Sequence, residues 1–215
     1  WTVNKPTFDN LPYDPVKRLQ ADMLPTLVSN YAGTSSSPLA IESKCNIFMN
    51  DFIQHDPTVK GFLLAPEGCL RLGDLNFKMI PDTSKGLLAS LNLAFPEKTK
   101  NAVAVANRGV AEGIPEIVSE IEVGKKAKAL AFLHTCIPGV TGRKSIVANY
   151  IVRYKDGKIC TVPIVKQENI TSLSLPFVLK EHKKRGAGSV PDAKRVWMMT
   201  DKGDELNFQI FEWKN

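Results

Sequence analysis

The best organised part of the chain comprises Lys126-Ala-Lys-Ala-Leu-Ala-Phe-Leu-His-Thr-Cys136 and, after a loop containing Gly and Pro, Ser145-Ile-Val-Ala-Asn-Tyr-Ile-Val-Arg-Tyr-Lys-Asp-Gly-Lys-Ile-Cys-Thr-Val-Pro-Ile-Val165. The β-branched and aromatic residues in these runs predict three strands. The last two strands are separated by Asp156-Gly157, a pair that tolerates the positive φ angles of a type I′ turn. The stretch therefore predicts a β-hairpin preceded by a further strand.

A two-residue turn also predicts the hairpin register. The expected partners are Lys155 with Lys158, Tyr154 with Ile159, Arg153 with Cys160, and Ile151 with Val162. One face of the first arm then carries Ile146, Ala148, Tyr150, Val152 and Tyr154, and the other carries Val147, Asn149, Ile151 and Arg153. Because both faces are largely apolar, we expect a strand covered on both sides, or mostly so, as in the middle of a β-sandwich sheet.

The rest of the chain divides by composition into an arm, residues 1–38, and an all-β sandwich domain, residues 39–215. In the arm, Asp14 and Pro15 predict the start of a short helix, and residues 31–38 have the composition of a linker. Beyond it, short runs separated by turn residues are typical of an all-β sandwich or barrel. The further predicted strands are Ala40–Cys45, Gly61–Leu64, Asn76–Ile80, Gly86–Leu93, Ala102–Ala106, Glu116–Val123, Lys194–Thr200 and Glu205–Trp213.

Composition limits the classes of partner. The chain has 215 residues, 43% of them hydrophobic, and a net charge of +6, which suits an anionic partner. Much of the excess lies in the run 180–186, which we interpret as a solvated loop, and no nucleic-acid-binding signature accompanies it, so no nucleic acid partner is expected. The sequence contains no run of 18 apolar residues, so we predict no membrane span. The chain begins at Trp1 and not at Met, which predicts a processed product and is compatible with secretion.

The four cysteines, Cys45, Cys69, Cys136 and Cys160, are too few for a disulfide scaffold and include no Cys-x-x-Cys motif. His134 and Cys136 are two residues apart, with Cys160 on a neighbouring strand, which leaves two interpretations. One is a zinc site, but a closed site needs four ligands. The other, which we favour, is a core histidine bonded to a backbone carbonyl beside buried thiols. We therefore expect no cofactor.

A resemblance emerges when the following segments are taken together: Val123 to Cys136, Ala148 to Gly157, Val162-Pro-Ile164, Glu168-Asn-Ile170, Val196-Trp197 and Phe211-Glu-Trp-Lys-Asn215. Over roughly Leu39 to Asn215 the chain resembles a galactose-binding-like jelly-roll accessory domain of secreted bacterial glycoside hydrolases and cell-surface proteins. The resemblance implies a jelly-roll β-sandwich in a secreted, periplasmic or cell-surface protein, with neighbouring domains as partners. It is also compatible with a structural calcium ion, for which the sequence indicates no ligands.

Sugar binding needs an aromatic ring against which the apolar face of a pyranose can lie, with polar groups beside it for the hydroxyls. The candidates are Trp197, Trp213, and Tyr154 beside Arg153. The alternative is that these aromatic side chains are packed under loops or under the arm. The sequence thus predicts a non-catalytic carbohydrate-binding or accessory module whose ligand is a polysaccharide or oligosaccharide.

Two other functions stay open. A glycoside hydrolase needs a pair of carboxylates at defined separation, and nothing pairs any two of the available side chains, which are Asp51, Asp56, Asp74, Asp82, Glu112, Glu116, Glu120 and Glu122. Serine-nucleophile, phosphate-loop and zinc-protease motifs are missing from the sequence. The third function is a structural module that joins domains or subunits, for which an apolar surface patch is the expected mark.

Overall fold

The computed structural model describes residues 26–28, 35–53, 56, 59–61, 63–64, 68–80, 100–107, 111–137, 144–173, 190–200 and 202–215. This part of the chain is mostly β-structure in several antiparallel sheets, with little helix, as expected for an all-β protein. Its strands are β1 (Thr26–Val28), β2 (Leu63–Leu64), β3 (Gly68–Leu72), β4 (Leu75–Met79), β5 (Ala129–His134), β6 (Ile146–Arg153), β7 (Ile159–Val165), β8 (Ala193–Thr200) and β9 (Glu205–Lys214). Among the described residues, a short helix, α1, spans Met49–Ile53, and a 3-10 turn spans Glu42–Lys44.

The chain divides into two compact units. The described residues of the first unit lie within Pro25–Lys126 and Met199–Asp204, and those of the second lie within Ala127–Met198 and Glu205–Asn215. Residues 39–215 therefore contribute to both units. The predicted arm, including its helix, lies mostly outside the described residues, and the boundary at residue 38 stays a prediction.

The first unit contains the antiparallel sheet β1-β3-β4, in which β3 is the central strand. Leu70 and Leu72 alternate with less buried residues along β3, and both are fully buried. The short strand β2 pairs with Met199 and Thr200, the last two residues of β8. The turn that follows is held by the Asp204 carboxylate, which accepts a hydrogen bond from the Lys60 amide at 2.7 Å.

The second unit contains the strand order β8-β9-β5 and the separate hairpin β6-β7. Strand β5 pairs with β9 in an unbroken antiparallel register, from Ala129 opposite Lys214 to His134 opposite Gln209. A buried amide network joins β9 to the segment that follows β7. Gln209 Oε1 accepts a hydrogen bond from the Thr171 amide, and Asn207 Nδ2 donates one to the Ser172 carbonyl.

The hairpin forms where the sequence predicts it, but the predicted register is wrong by one residue. Arg153 faces Ile159, Ile151 faces Thr161, and Tyr150 faces Val162. The Tyr154 amide donates to the Lys158 carbonyl and the Gly157 amide donates to the Tyr154 carbonyl, so the loop has three residues. Gly157 has a φ of 87°, as in a three-residue loop that ends in a bulge with a positive-φ glycine.

This shift changes which side chains share a face. Because side chains alternate along a strand, a slip of one residue on one arm moves its whole set to the other face. Val162 and Ile164 now lie on the same covered face as Tyr150. The opposite face is exposed in the middle of both strands, so the expectation of a strand covered on both sides is wrong. A bulge between Ile146 and Ala148 also moves Ile146 to the exposed face.

Some of the other predicted strands are confirmed and others are wrong. Strands β4, β5, β8 and β9 lie close to their predicted bounds, whereas β1, β3 and α1 were not predicted. The predicted strand Ala40–Cys45 contains a 3-10 turn instead. Residues 116–123 form no strand, and Ala102–Ala106 contributes only one isolated bridge, between Ile47 and Ala102. The predicted strand at Gly86–Leu93 lies outside the described residues.

Candidate functional site

A row of stacked rings joins the hairpin to the β5-β9 pair in the second unit. The Tyr150 ring lies 3.7 Å from the Phe132 ring, centroid to centroid, with an interplanar angle of 8°. Phe211, the partner of Phe132 across the two strands, continues the row with a centroid distance of 6.3 Å to Phe132. These contacts place the covered face of β6 on the inner face of β5 and β9.

His134 closes one end of this row, with its ring 6.2 Å from that of Phe211 and nearly parallel to it. Its Nε2 lies 2.9 Å from the Asn169 carbonyl oxygen, and its Nδ1 lies 3.0 Å from the Tyr150 hydroxyl. A carbonyl oxygen only accepts, so Nε2 carries the proton and the neutral Nδ1 accepts from the Tyr150 O–H. This arrangement confirms the interpretation of His134 as a core histidine bonded to a backbone carbonyl.

Burial determines the charge state of this pair. It lowers the pKa of His134 to about 4, although the hydrogen bond to the Asn169 carbonyl acts in the opposite direction. Burial likewise raises the pKa of the Tyr150 phenol well above its ordinary value. Both side chains are therefore neutral at pH 7, and their hydrogen bond is part of the packed interior.

The other end of the row is more open and carries two of the predicted sugar-binding residues. The Tyr154 hydroxyl donates to Asn215 Oδ1, and Asn215 Nδ2 donates to the Ala127 carbonyl at 3.1 Å. Lys158 Nζ lies 5.5 Å from the centroid of the Tyr154 ring, within the range of a cation–π contact. Trp213 is partly buried and lies opposite Leu130.

Strand periodicity shows that these side chains share one face. Trp213 is two residues beyond Phe211 along β9, and Asn215 is two residues further, so all three point toward the hairpin side of the sheet. We call Tyr154, Lys158, Trp213 and Asn215 the Tyr154–Trp213 cluster. It combines two partly exposed aromatic rings, one ammonium group and one carboxamide.

The remaining predicted site residues lie elsewhere. Arg153 is exposed and pairs with Ile159, so it belongs to the outer face of the hairpin, opposite the face that carries the cluster. Trp197 belongs to β8, and its side chain lies outside what the structure describes. Sequence reasoning did not select Lys158 or Asn215. Lys158 adjoins the predicted turn, which is a usable signal, whereas nothing local marks Asn215.

Other chemistry proposed from the sequence finds limited geometric support. All four cysteines are free thiols. Within the described ranges, no three His, Cys, Asp or Glu side chains lie together in a way that could hold a metal ion. Glu116, Glu120 and Glu122 are exposed in an irregular segment, whereas Asp56 is fully buried.

Comparisons of the chain with protein-family profiles, with curated proteins and with solved structures found no match. In the part of the chain that the structure describes, no helix has the length and apolar character needed to cross a membrane. The function of the Tyr154–Trp213 cluster therefore has to be argued from its own geometry.

Proposed function

We propose that the chain is a non-catalytic carbohydrate-binding or accessory module with a galactose-binding-like jelly-roll fold, belonging to a secreted, periplasmic or cell-surface protein that processes polysaccharides. The observation that carries the proposal is the Tyr154–Trp213 cluster, in which partly exposed rings of Tyr154 and Trp213 share a face with Asn215 and Lys158. The antiparallel sheets and the resemblance to secreted accessory domains support the fold.

The cluster has hydrogen-bonding capacity to spare for sugar hydroxyls. A carboxamide offers two N–H donors and two acceptor lone pairs, and Asn215 uses one N–H toward Ala127 and one lone pair toward Tyr154. Lys158 supplies further N–H donors beside the Tyr154 ring. A pyranose that lies on an aromatic ring can therefore place its equatorial hydroxyls within reach of both polar groups.

The experiment is an affinity-gel and calorimetric screen of the purified chain against plant, algal and host polysaccharides, with hydrolysis products assayed in the same samples. We expect binding without product. Trp213→Ala and Tyr154→Ala should each weaken binding by about fivefold or more, because a stacked ring contributes roughly 1 kcal/mol or more. Release of product would instead identify a glycoside hydrolase, and failure to bind any glycan would contradict the proposal.

Arg153→Ala provides a test of which face of the hairpin binds. Arg153 directly precedes Tyr154 in the sequence but lies on the outer face of the hairpin. If the Tyr154–Trp213 cluster is the site, Arg153→Ala changes affinity less than Tyr154→Ala does. The reverse order would place the site on the outer face.

The outer face itself favours a second candidate function, a structural module that joins neighbouring domains or subunits. Ile146, Ile151 and Ile159 share this face and are 62%, 55% and 53% exposed. Exposed apolar patches of this kind mark interaction surfaces. Under this function, Ile151→Ser and Ile159→Ser would abolish an association of the chain detected by sedimentation and leave glycan binding unchanged. A chain that stays monomeric and binds a glycan favours the first candidate.

A further inference from the structure

The end of the second unit that carries the Tyr154–Trp213 cluster is strongly basic. Exposed cations outnumber exposed carboxylates there: Arg153, Lys155, Lys158, Lys128 and Lys214 against Asp156 and Glu212. All of these residues belong to the hairpin turn or to the adjoining ends of β5 and β9. The imbalance creates a positive local potential that would attract an anionic ligand.

These cations also lack the carboxylate partners that several lysines have elsewhere. Lys44 forms an ion pair with Glu120, Lys78 with Glu42, and Lys144 with Glu168. Over the described ranges of the chain, no ion pair involves any of the five cations at the hairpin end. Asp156 and Glu212 offset part of their charge, and the rest is screened by water and counterions, which a bound polyanion can replace.

Two of the five cations belong to the same face as the cluster. Lys158 Nζ lies over the Tyr154 ring. Lys128 lies two residues before Leu130, which is the partner of Trp213. The Lys128 carbonyl accepts a hydrogen bond from the backbone N–H of Asn215 at 2.8 Å. By strand alternation the Lys128 side chain belongs to the same face as Trp213 and Asn215. One ammonium group thus belongs to the hairpin side of the rings and another to the sheet side.

We infer that the ligand of the Tyr154–Trp213 cluster is an anionic polysaccharide, with a sugar ring on Tyr154 or Trp213 and its sulfate or carboxylate groups bound by Lys128 and Lys158. The inference rests on the proposed carbohydrate-binding function and adds the chemical class of the sugar. Unpaired lysines repel one another, and a neutral sugar would leave that repulsion in place. A polymer with regularly spaced anionic groups removes it while it stacks on the same rings.

The test measures the affinity of the full chain by calorimetry for matched polymers that differ only in charge. Dextran sulfate is compared with dextran, and polygalacturonate with its methyl ester, so that sulfate and carboxylate are separated. Polyglutamate serves as a polyanion without sugar rings. Lys128→Gln and Lys158→Gln each remove one charge beside the rings. Lys144→Gln is the matched control. Lys144 precedes β6 and Lys158 follows the turn, so the two lysines lie at opposite ends of the hairpin, roughly 30 Å apart along the strand.

We expect at least one charged polysaccharide to bind about tenfold more tightly than its neutral partner and more tightly than polyglutamate. Lys128→Gln and Lys158→Gln should each weaken this binding by about two- to fivefold, and Lys144→Gln by less than about twofold. Raising the salt from about 0.1 M to about 1 M should weaken it further, because the Debye length falls from about 10 Å to about 3 Å.

Three outcomes would contradict the inference, and they differ in what they imply for the proposed carbohydrate-binding function. Equal binding of charged and neutral polymers, with no effect of the lysine substitutions, would overturn the anionic ligand and leave the carbohydrate-binding function standing. Polyglutamate binding as tightly as any charged polysaccharide, and insensitive to Trp213→Ala, would reduce the site to general charge attraction and overturn the inference. Failure of every sugar polymer to bind would overturn both the inference and the proposed function.

Discussion

His134 illustrates how far a single residue can be interpreted from sequence. Its position between Leu133 and Thr135 in an apolar strand predicts a buried imidazole bonded to a backbone carbonyl, and the Asn169 carbonyl fills that role. The second partner, Tyr150, is 16 residues away along the chain. No local pattern could indicate it, because the contact depends on which face of the hairpin packs against β5.

The depressed pKa of His134 predicts a pH-dependent stability. The ordinary pKa of 6.5 applies to the unfolded chain, and the folded value is about 4. Between these pH values the unfolded state binds more protons than the folded state does. The contribution of neutral His134 to the free energy of unfolding is therefore fully present above pH 6.5 and is lost as the pH falls toward 4. Its size is on the order of 3 kcal/mol. Urea unfolding at pH values from 7.5 to 4.5 should show the loss in the wild type, with a smaller loss in His134→Gln.

Since carboxylates also titrate near pH 4, the informative quantity is the difference between the wild type and His134→Gln. Glutamine retains an N–H donor for the Asn169 carbonyl but does not titrate in this range. Equal pH dependence in the two proteins would contradict a neutral, buried His134.

Tyr150→Phe isolates the hydroxyl from the ring. Phenylalanine preserves the stack on Phe132 but leaves His134 Nδ1 without its donor, so the free energy of unfolding should fall by about 1 to 2 kcal/mol. The matched control is Tyr154→Phe, whose hydrogen bond to Asn215 is exposed and can be replaced by water. Thermal unfolding should show a smaller loss for the control. An equal or larger loss in Tyr154→Phe would contradict the account.

At the scale of the element, the hairpin shows what a turn motif specifies and what it leaves open. Asp156-Gly157 identifies the position of the turn, but Asp-Gly suits both a two-residue type I′ loop and a three-residue loop with a bulge. The choice between them follows from burial. Only the three-residue loop places Val162 and Ile164 on the covered face with Tyr150, which is a tertiary constraint that the turn residues do not encode.

Gly157 is the residue that the three-residue loop requires. Its φ is 87°, and an added Cβ would meet nothing within 4 Å, so a substitution there costs backbone strain and no steric clash. Gly157→Ala should destabilise the chain by about 1 to 2 kcal/mol. Gly157→Asn should cost less, because asparagine tolerates positive φ. Urea unfolding of the two variants measures the difference, and an alanine variant as stable as the wild type would contradict the observed loop.

Two incorrect strand predictions show the limit of hydrophobic alternation. Residues 116–123 contain Ile117 and Ile121 among polar residues, yet Ile117 is 75% exposed and Glu120 has a φ of 62°. Alternation indicates compatibility with a sheet, but a strand also needs a neighbour to bond with. In the same way, Ala40–Cys45 contains a 3-10 turn although its composition suits a strand.

At the scale of the whole chain, the sequence was sufficient for the all-β class and for the strands with long apolar or aromatic runs, β5 to β9. It was insufficient for the candidate site. Tyr154 and Trp213 could be selected as aromatic residues, but Asn215 joins them only because β9 pairs with β5 and the hairpin lies over both. Lys128 likewise shares a face with these residues only because β9 pairs with β5. Such convergence depends on sheet register and packing, neither of which is local in sequence.

The most direct measurement is an NMR titration of the isotopically labelled chain with an oligosaccharide that it binds. The three tryptophan indole N–H signals, from Trp1, Trp197 and Trp213, are assigned by substitution. We predict that the Trp213 indole and the Asn215 side-chain amide shift with a common dissociation constant, together with the backbone amides of Tyr154 and Lys158. Shifts confined to Arg153, Ile151 and Ile159, or no saturable shift with any glycan, would contradict a carbohydrate site at the Tyr154–Trp213 cluster.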